Sequence, residues 1–263
     1  MYTPSFIVVA LATVFAASVP EAEARGFLAR IHSARSTPIT QLSDGNEMQY
    51  GNSSLAPGLR NWQSSGILTR GCDIKSAKIT DCYGIYLSAN QNEHTGDSPR
   101  QRAEFRTKSQ LAGHSAHYTW KQYDEAPDTS TAVSQSDFSH RWQLFNEEDI
   151  APVVTLDAIN DTATILDYAP RRINCGGKCP AIPLKSFVGR NLLHSLKVTF
   201  GPNGQLDYVL TDADSGKQLL TYNTQGYMGG NTSYVKYGCY RTTQPGQAPI
   251  HMAVGDFAYE QLS

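Results

Sequence analysis

Tyr234-Val-Lys-Tyr-Gly-Cys-Tyr-Arg241 reads as a β-strand. Aromatic and β-branched residues alternate with others, and a glycine sits inside the run. The two-residue period puts Tyr234, Lys236 and Tyr240 on one face, and Val235, Tyr237, Cys239 and Arg241 on the other. A strand that buries a hydrophobic core does not ordinarily carry a Tyr-x-Lys-x-x-x-Tyr face. Such a face suits a wet, concave surface that holds a polar polymer. The plainer reading is an exposed sheet face whose lysine serves solubility.

Two earlier stretches favour the first reading. Arg102-Ala-Glu-Phe-Arg106 alternates in the same way, with Arg102, Glu104 and Arg106 on one face. His140-Arg-Trp-Gln-Leu-Phe145 is a third strand-like run, rich in polar groups where a core strand is apolar. Further strands are expected at Tyr83–Leu87 and Ala116–Tyr123, and a hairpin at Pro152–Ala158 and Thr162–Asp167. A meander is expected at Leu196–Phe200, Gln205–Thr211 and Lys217–Tyr222, with Gly201–Gly204 as its first turn. Ile250–Tyr259 closes the chain. Many short strands separated by turn signals predict two packed antiparallel sheets, with the polar strands in the concave sheet and the meander in the convex one. Trp120, Trp142 and His194 are expected in structural positions.

The totals fit one large all-β domain: 263 residues, 40% hydrophobic and 17% charged. A net charge of −2 leaves no basic excess for nucleic acid. Phe6 to Val19 is apolar but short for a bilayer span. It leads into the small-residue site Ala22-Glu-Ala24. Residues 1–24 therefore read as a secretory signal peptide, although Met1-Tyr-Thr-Pro4 lacks the usual positive charge; the alternative is a membrane anchor. Residues 25–60 read as an irregular arm contributing at most one strand, and 61–263 as the β domain. Five cysteines fit export. The preferred pairs are Cys72–Cys82 and Cys175–Cys179, leaving Cys239 free; half a zinc site is the alternative for Cys175 and Cys179. Asn-x-Ser/Thr sequons at Asn52, Asn160 and Asn231 mark glycan positions in an exported chain.

The three polar strands, in this order and at these separations, resemble the β-jelly-roll polysaccharide lyases, in a fungal, secreted branch of that superfamily. Alginate lyases of this fold carry an Arg-x-Glu-x-Arg strand, a Gln-x-His strand and a Tyr-Phe-Lys-x-Gly-x-Tyr strand; glucuronan lyases and heparin-lyase-like proteins carry looser versions. The resemblance implies a concanavalin A-like sandwich and β-elimination on a uronate polymer. It implies Tyr234 as catalytic acid/base, with Lys236 lowering the phenol's pKa. Arg102 and Gln143 would neutralise the sugar carboxylate, and Glu104 would orient Arg102. Arg106, Lys236, Tyr240 and His117 would bind the chain.

One departure from the pattern matters. The position two after Gln143 is Phe145, not histidine, and His140 lies three before it, on the opposite face of a regular strand. Either a bulge turns His140 inward, as a fungal branch with histidine three before glutamine would require, or the base is elsewhere, at His114 or His117. Two other functions compete. A glycoside hydrolase needs two carboxylates about one bond, and Glu104 is the only acid on a convincing groove strand, since Glu147, Glu148 and Asp149 look like a solvated turn. A carbohydrate-binding protein would keep the groove without the base. The expected partner is an acidic polysaccharide, with no nucleic acid, no membrane and no second copy. No cofactor or catalytic metal is expected, and a structural calcium is left open.

Overall fold

The computed structural model describes residues 38–53, 55–91, 99–125, 137–159, 161–170 and 174–262. The segment read as a signal peptide, 1–24, and the sequon at Asn160 lie outside these residues. The regular structure of the described chain is almost entirely strand. In chain order the strands are β1 (Thr40–Asp44), β2 (Gln49–Gly51), β3 (Leu59–Ser64), β4 (Ile67–Arg70), β5 (Cys82–Leu87) and β6 (Arg100–Thr107). Then come β7 (Gln110–Leu111), β8 (Ser115–Asp124), β9 (Ser139–Asn146), β10 (Ala151–Ile159), β11 (Thr162–Asp167) and β12 (Ala181–Pro183). The last five are β13 (Leu192–Thr199), β14 (Gly201–Asp212), β15 (Gln218–Met228), β16 (Thr232–Thr242) and β17 (Ile250–Gln261).

Two antiparallel sheets form a jelly-roll sandwich. One runs β1-β4-β5-β17-β8-β13-β14-β15 and holds the meander. The other runs β12-β11-β10-β9-β16-β6-β3-β2, with β7 paired to the start of β16, and holds all three polar strands. The alternation read from the sequence sets the inner faces. Phe105, Trp142, Leu144, Val235 and Tyr237 point inward from the second sheet, and Tyr83, Tyr118, Trp120, Leu196 and Tyr208 from the first. Aromatic rings lock the sheets together. Trp120 lies 4.3 Å from Tyr237, Tyr83 lies 4.7 Å from Phe105, and Trp142 lies 4.9 Å from Tyr208. Replacing either tryptophan by alanine would cost about 3–5 kcal/mol on core-cavity grounds.

The structure departs from the sequence reading in three places. Residues 38–60, expected as part of an irregular arm with at most one strand, supply β1 to the first sheet and β2 to the second, and β3 begins at Leu59. These are short outer strands whose residues show little alternation, so the pattern hid them. Gly201–Gly204, expected as a turn, is the start of β14, with a register shift against β15 between Gly201 and Gly204. β13 starts at Leu192, four residues earlier than expected, and includes the buried His194.

Cys72–Cys82 and Cys175–Cys179 are disulfide-bonded, and Cys239 is buried and outside both bridges. Asn52 and Asn231 are exposed. Among the described residues no helix is long and apolar enough to cross a membrane. Among them, too, no three His, Cys, Asp or Glu side chains gather as they would around a metal ion.

Candidate active site

β16 runs between β9 and β6, and its register fixes what meets on the outer face. Tyr234 pairs with Phe145, Lys236 with Gln143 and Arg106, and Tyr240 with His140 and Arg102. Because Val235, Tyr237 and Cys239 point into the core, Tyr234, Lys236 and Tyr240 stand on the outer face of the sheet. Ala103 and Phe105 point inward from β6, so Arg102, Glu104 and Arg106 join them outside. Arg102, Gln143 and Tyr234, far apart in sequence, thus share one surface.

His140 reaches that surface through a bulge. Between Trp142 and His140, β9 takes two steps where β10 takes one, from Leu156 to Asp157. Arg141 is the extra residue, and like Trp142 it points inward. Its guanidinium Nε donates to the Asp124 carboxylate at 2.8 Å, and both side chains are buried. This buried ion pair anchors the bulge, and the parity of the strand flips beyond it. His140 then stacks on Phe138 at 4.4 Å and lies 5.9 Å from the Tyr240 ring.

Behind His140 sits Asp157, with no exposed surface. Its oxygens lie 2.8 and 2.9 Å from His140 Nδ1, and it also accepts from the Ser139 amide and the Thr155 hydroxyl. Burial pushes this carboxyl up, but the imidazole and the other donors outweigh it and hold it below the usual range. A carboxylate on Nδ1 fixes the ring and directs Nε2 outward. Among the described residues Nε2 has no hydrogen-bond partner.

The centre of the face is organised by Glu104. Its carboxylate accepts from Gln143 Nε2 at 2.5 Å and from Gln63 Nε2 at 3.1 Å. Arg102 and Lys236 approach it at 3.5 and 3.6 Å. Gly238 stands opposite Glu104 on β16. Gly238 has φ of 126°, and a Cβ there would lie 2.2 Å from the Ala103 carbonyl oxygen. Burial, ahead of the opposing pull of Glu104, lowers the pKa of Lys236. Arg102 lies 3.8 Å above the Tyr240 ring, with 12% of its side chain exposed.

Tyr234 and His140 stand at opposite ends of this face. Six residue steps of β16 lead from Tyr234 to Tyr240, roughly 20 Å along the backbone; Lys236 Nζ stands between them, 4.5 Å from the Phe145 ring and 5.9 Å from the Tyr240 ring. Arg106 lies 3.7 Å above the Tyr234 ring, and Phe145 stacks beside it at 5.2 Å. Nearby cations do pull this phenol's pKa down, as expected, but they are Arg106 and Arg102, and the net shift is upward. Burial pushes it up to about 12, with Glu147 and Glu104 adding to the rise against Arg106 and Arg102. Tyr234 is therefore a protonated phenol at neutral pH.

His117 does not belong to this face. Ala116, Tyr118 and Trp120 point into the core from β8, which turns His117 to the outer face of the opposite sheet. There it lies 2.8 Å from the Ser195 hydroxyl, its pKa lowered by burial and by Lys197. The alternation of β8 was read correctly; which sheet β8 joins is a long-range pairing that one strand's pattern does not carry. His114 is exposed on the turn between β7 and β8. Glu147 lies in a partly exposed turn after β9, as expected, and there it binds Arg106 at 2.6 Å. Asp157, Gln63 and Phe138 were not singled out from the sequence. Asp157 had one visible sign, an acid in an otherwise apolar hairpin strand.

No protein-family model matches the sequence, and neither does any curated protein sequence. Solved structures similar to the chain include a family 7 alginate lyase bound to substrate, with a TM-score of 0.48, 9% identity, and coverage of 73% of this chain and 83% of that one. An endo-β-1,4-glucuronan lyase from the fungus Trichoderma reesei has a TM-score of 0.41, 11% identity, and coverage of 85% and 87%. The catalytic domain of a glycoside hydrolase family 131 protein from Coprinopsis cinerea has a TM-score of 0.42, 11% identity, and coverage of 68% and 69%. At these scores they are likenesses only, and the chemistry of this chain rests on its own side chains.

Proposed function

We propose that the chain is a secreted polysaccharide lyase that cleaves a uronate polymer by β-elimination, with its reacting groups at the His140–Tyr240–Arg102 end of the face. The observation that carries this reading is the bulge at Arg141, which sets an Asp157-backed imidazole beside a tyrosine and an arginine.

The C5 proton of a uronate is weakly acidic while the neighbouring carboxylate keeps its charge. Arg102, supported by Glu104, supplies positive charge to that carboxylate, and Gln143 lies one groove position away along β9. His140 Nε2 takes the C5 proton, with Asp157 stabilising the imidazolium that forms. The C4–O4 bond breaks, its electron pair leaves with the oxygen, and the Tyr240 hydroxyl protonates that oxygen. The new chain end carries a C4–C5 double bond. Exchange with water returns a proton to Tyr240 and removes one from His140.

A glycoside hydrolase is disfavoured by the state of its candidate carboxylates. Glu104 is held by four donors and 3% exposed, and Asp157 is sealed beneath His140. The test is product analysis on glucuronan, alginate, pectate and glycosaminoglycans. A lyase gives ends that absorb ultraviolet light. A hydrolase gives reducing ends without that absorbance, and a binding protein gives neither; either result would end the lyase reading. Secretion is supported by the two disulfides and the exposed sequons at Asn52 and Asn231. Endoglycosidase treatment of the secreted protein should increase its gel mobility.

A further inference from the structure

The side chains beneath His140 form a line of which the reaction above uses only the inner part. Val154, Leu156 and Ala158 of β10 point into the core, so Thr155 and Asp157 stand on the outer face of the sheet beside His140. Neither has any exposed surface. The Asp157 oxygens lie almost equally far from His140 Nδ1, at 2.8 and 2.9 Å, so the ring alone does not set the plane of the carboxylate. Two other donors do. The Ser139 amide donates to Oδ2 at 3.1 Å, and the Thr155 hydroxyl donates to Oδ1 at 2.5 Å.

Valine has nearly the same shape as threonine and a comparable strand preference, and it would fill this sealed position with no polar atom to satisfy. A buried hydroxyl costs free energy unless it is bonded, and here the bond goes to the carboxylate behind the imidazole. Tyr168, the residue after β11, covers Thr155. Its amide donates to the Val153 carbonyl at 2.9 Å, which brings the phenol to the Thr155 hydroxyl. Burial raises the pKa of this phenol, the Asp157 charge adds to the rise, and the hydrogen bond with Thr155 works against it. An ionised Asp157 only accepts, so the Thr155 proton points at it and the Thr155 oxygen is left to accept from Tyr168. The donors run one way along the line, from Tyr168 to Thr155 to Asp157.

We infer that Thr155 is a positioning residue for His140: it fixes the plane of the Asp157 carboxylate, which fixes the imidazole, and Tyr168 caps it from the solvent side. The catalytic consequence rests on the lyase reading; the alignment of the carboxylate rests on the geometry alone. Without the hydroxyl, Oδ1 is released and Asp157 turns about its last side-chain bond toward Ser139. The ring follows, and Nε2 leaves the line to the C5 proton. Substrate binding is untouched, because Thr155 has no exposed surface with which to meet a sugar.

The test compares Thr155→Val, Thr155→Ser and Tyr168→Phe by initial rates of unsaturated-end formation and by the proton NMR signal of His140 Nδ1–H. Thr155→Val should lower kcat about tenfold with KM little changed, as the loss of one charge-assisted bond implies, and should move the Nδ1–H signal. Thr155→Ser restores the hydroxyl and should recover both. Tyr168→Phe probes the same line from a position that is 42% exposed, and should act in the same direction more weakly. Unchanged kcat or an unmoved Nδ1–H signal in Thr155→Val would overturn the inference. So would an equal loss in Thr155→Ser, which would reduce Thr155 to a packing residue. If the unaltered protein never yields unsaturated ends but the signal still moves in Thr155→Val and returns in Thr155→Ser, the lyase reading fails and the alignment stands.

Discussion

Acidification should unfold this protein partly through one residue, His194. Its ring is fully buried, stacked 4.5 Å from Trp120, with Nδ1 bonded to the Tyr208 hydroxyl at 2.9 Å and Nε2 without a partner among the described residues. Burial alone drives its pKa from 6.5 down to about 3. The fold therefore holds the neutral ring, and the unfolded chain binds the extra proton. This stability is complete above the unfolded pKa, is lost as pH falls from about 6.5 toward 3, and is gone below that. Between pH 7 and pH 4 the linkage amounts to about 3 kcal/mol, a large share of a typical domain's stability. The assay is urea unfolding of the unaltered protein and of His194→Gln at both pH values. Asp157, whose pKa is depressed, also loses stabilisation in acid, but it does so in both proteins and cancels in the comparison. The stability gap between the two proteins should shift by about 3 kcal/mol in favour of the variant on going to pH 4. Parallel pH dependences would refute the argument that His194 is buried and uncharged.

Four further outcomes are expected. His140→Ala should lower kcat by roughly 10²–10⁴, and Asp157→Asn by at least about tenfold with KM little changed, in initial rates of ultraviolet-absorbing product; full turnover in either would remove the dyad from the reaction. Tyr240→Phe should abolish cleavage with the near-ultraviolet circular dichroism retained, while Tyr234→Phe should keep cutting, and the reverse pattern would return the acid to Tyr234. Gly238→Ala should cost at least about 2 kcal/mol in denaturant unfolding, from its positive φ and the blocked approach to Ala103. Asp124→Asn should cost about 3–5 kcal/mol, because it removes the counter-charge of the buried Arg141 guanidinium, and should also reduce turnover by loosening the bulge beneath His140.

Local periodicity carries the parts of this protein that one strand can express. The alternation in Tyr234–Arg241 assigned its inward and outward faces, Arg102, Glu104 and Arg106 were read onto one face, and the turn spacing gave two antiparallel sheets. Those readings needed only a period of two and the separation of apolar from polar side chains. What the residues do to one another was decided by pairing across the sheet. A bulge at Arg141 depends on Asp124, a residue of the other sheet, so no local pattern announced that His140 faces outward. His117 had the right alternation but belongs to the wrong sheet. Tyr234 had the right face but stands at the far end of the strand from His140, where burial outweighs the nearby cations and raises its pKa. Sequence specifies the side on which a group emerges, because side-chain direction is a property of the local backbone. Neighbours, separations and charge states follow from register and burial, and those exist only once distant strands have met.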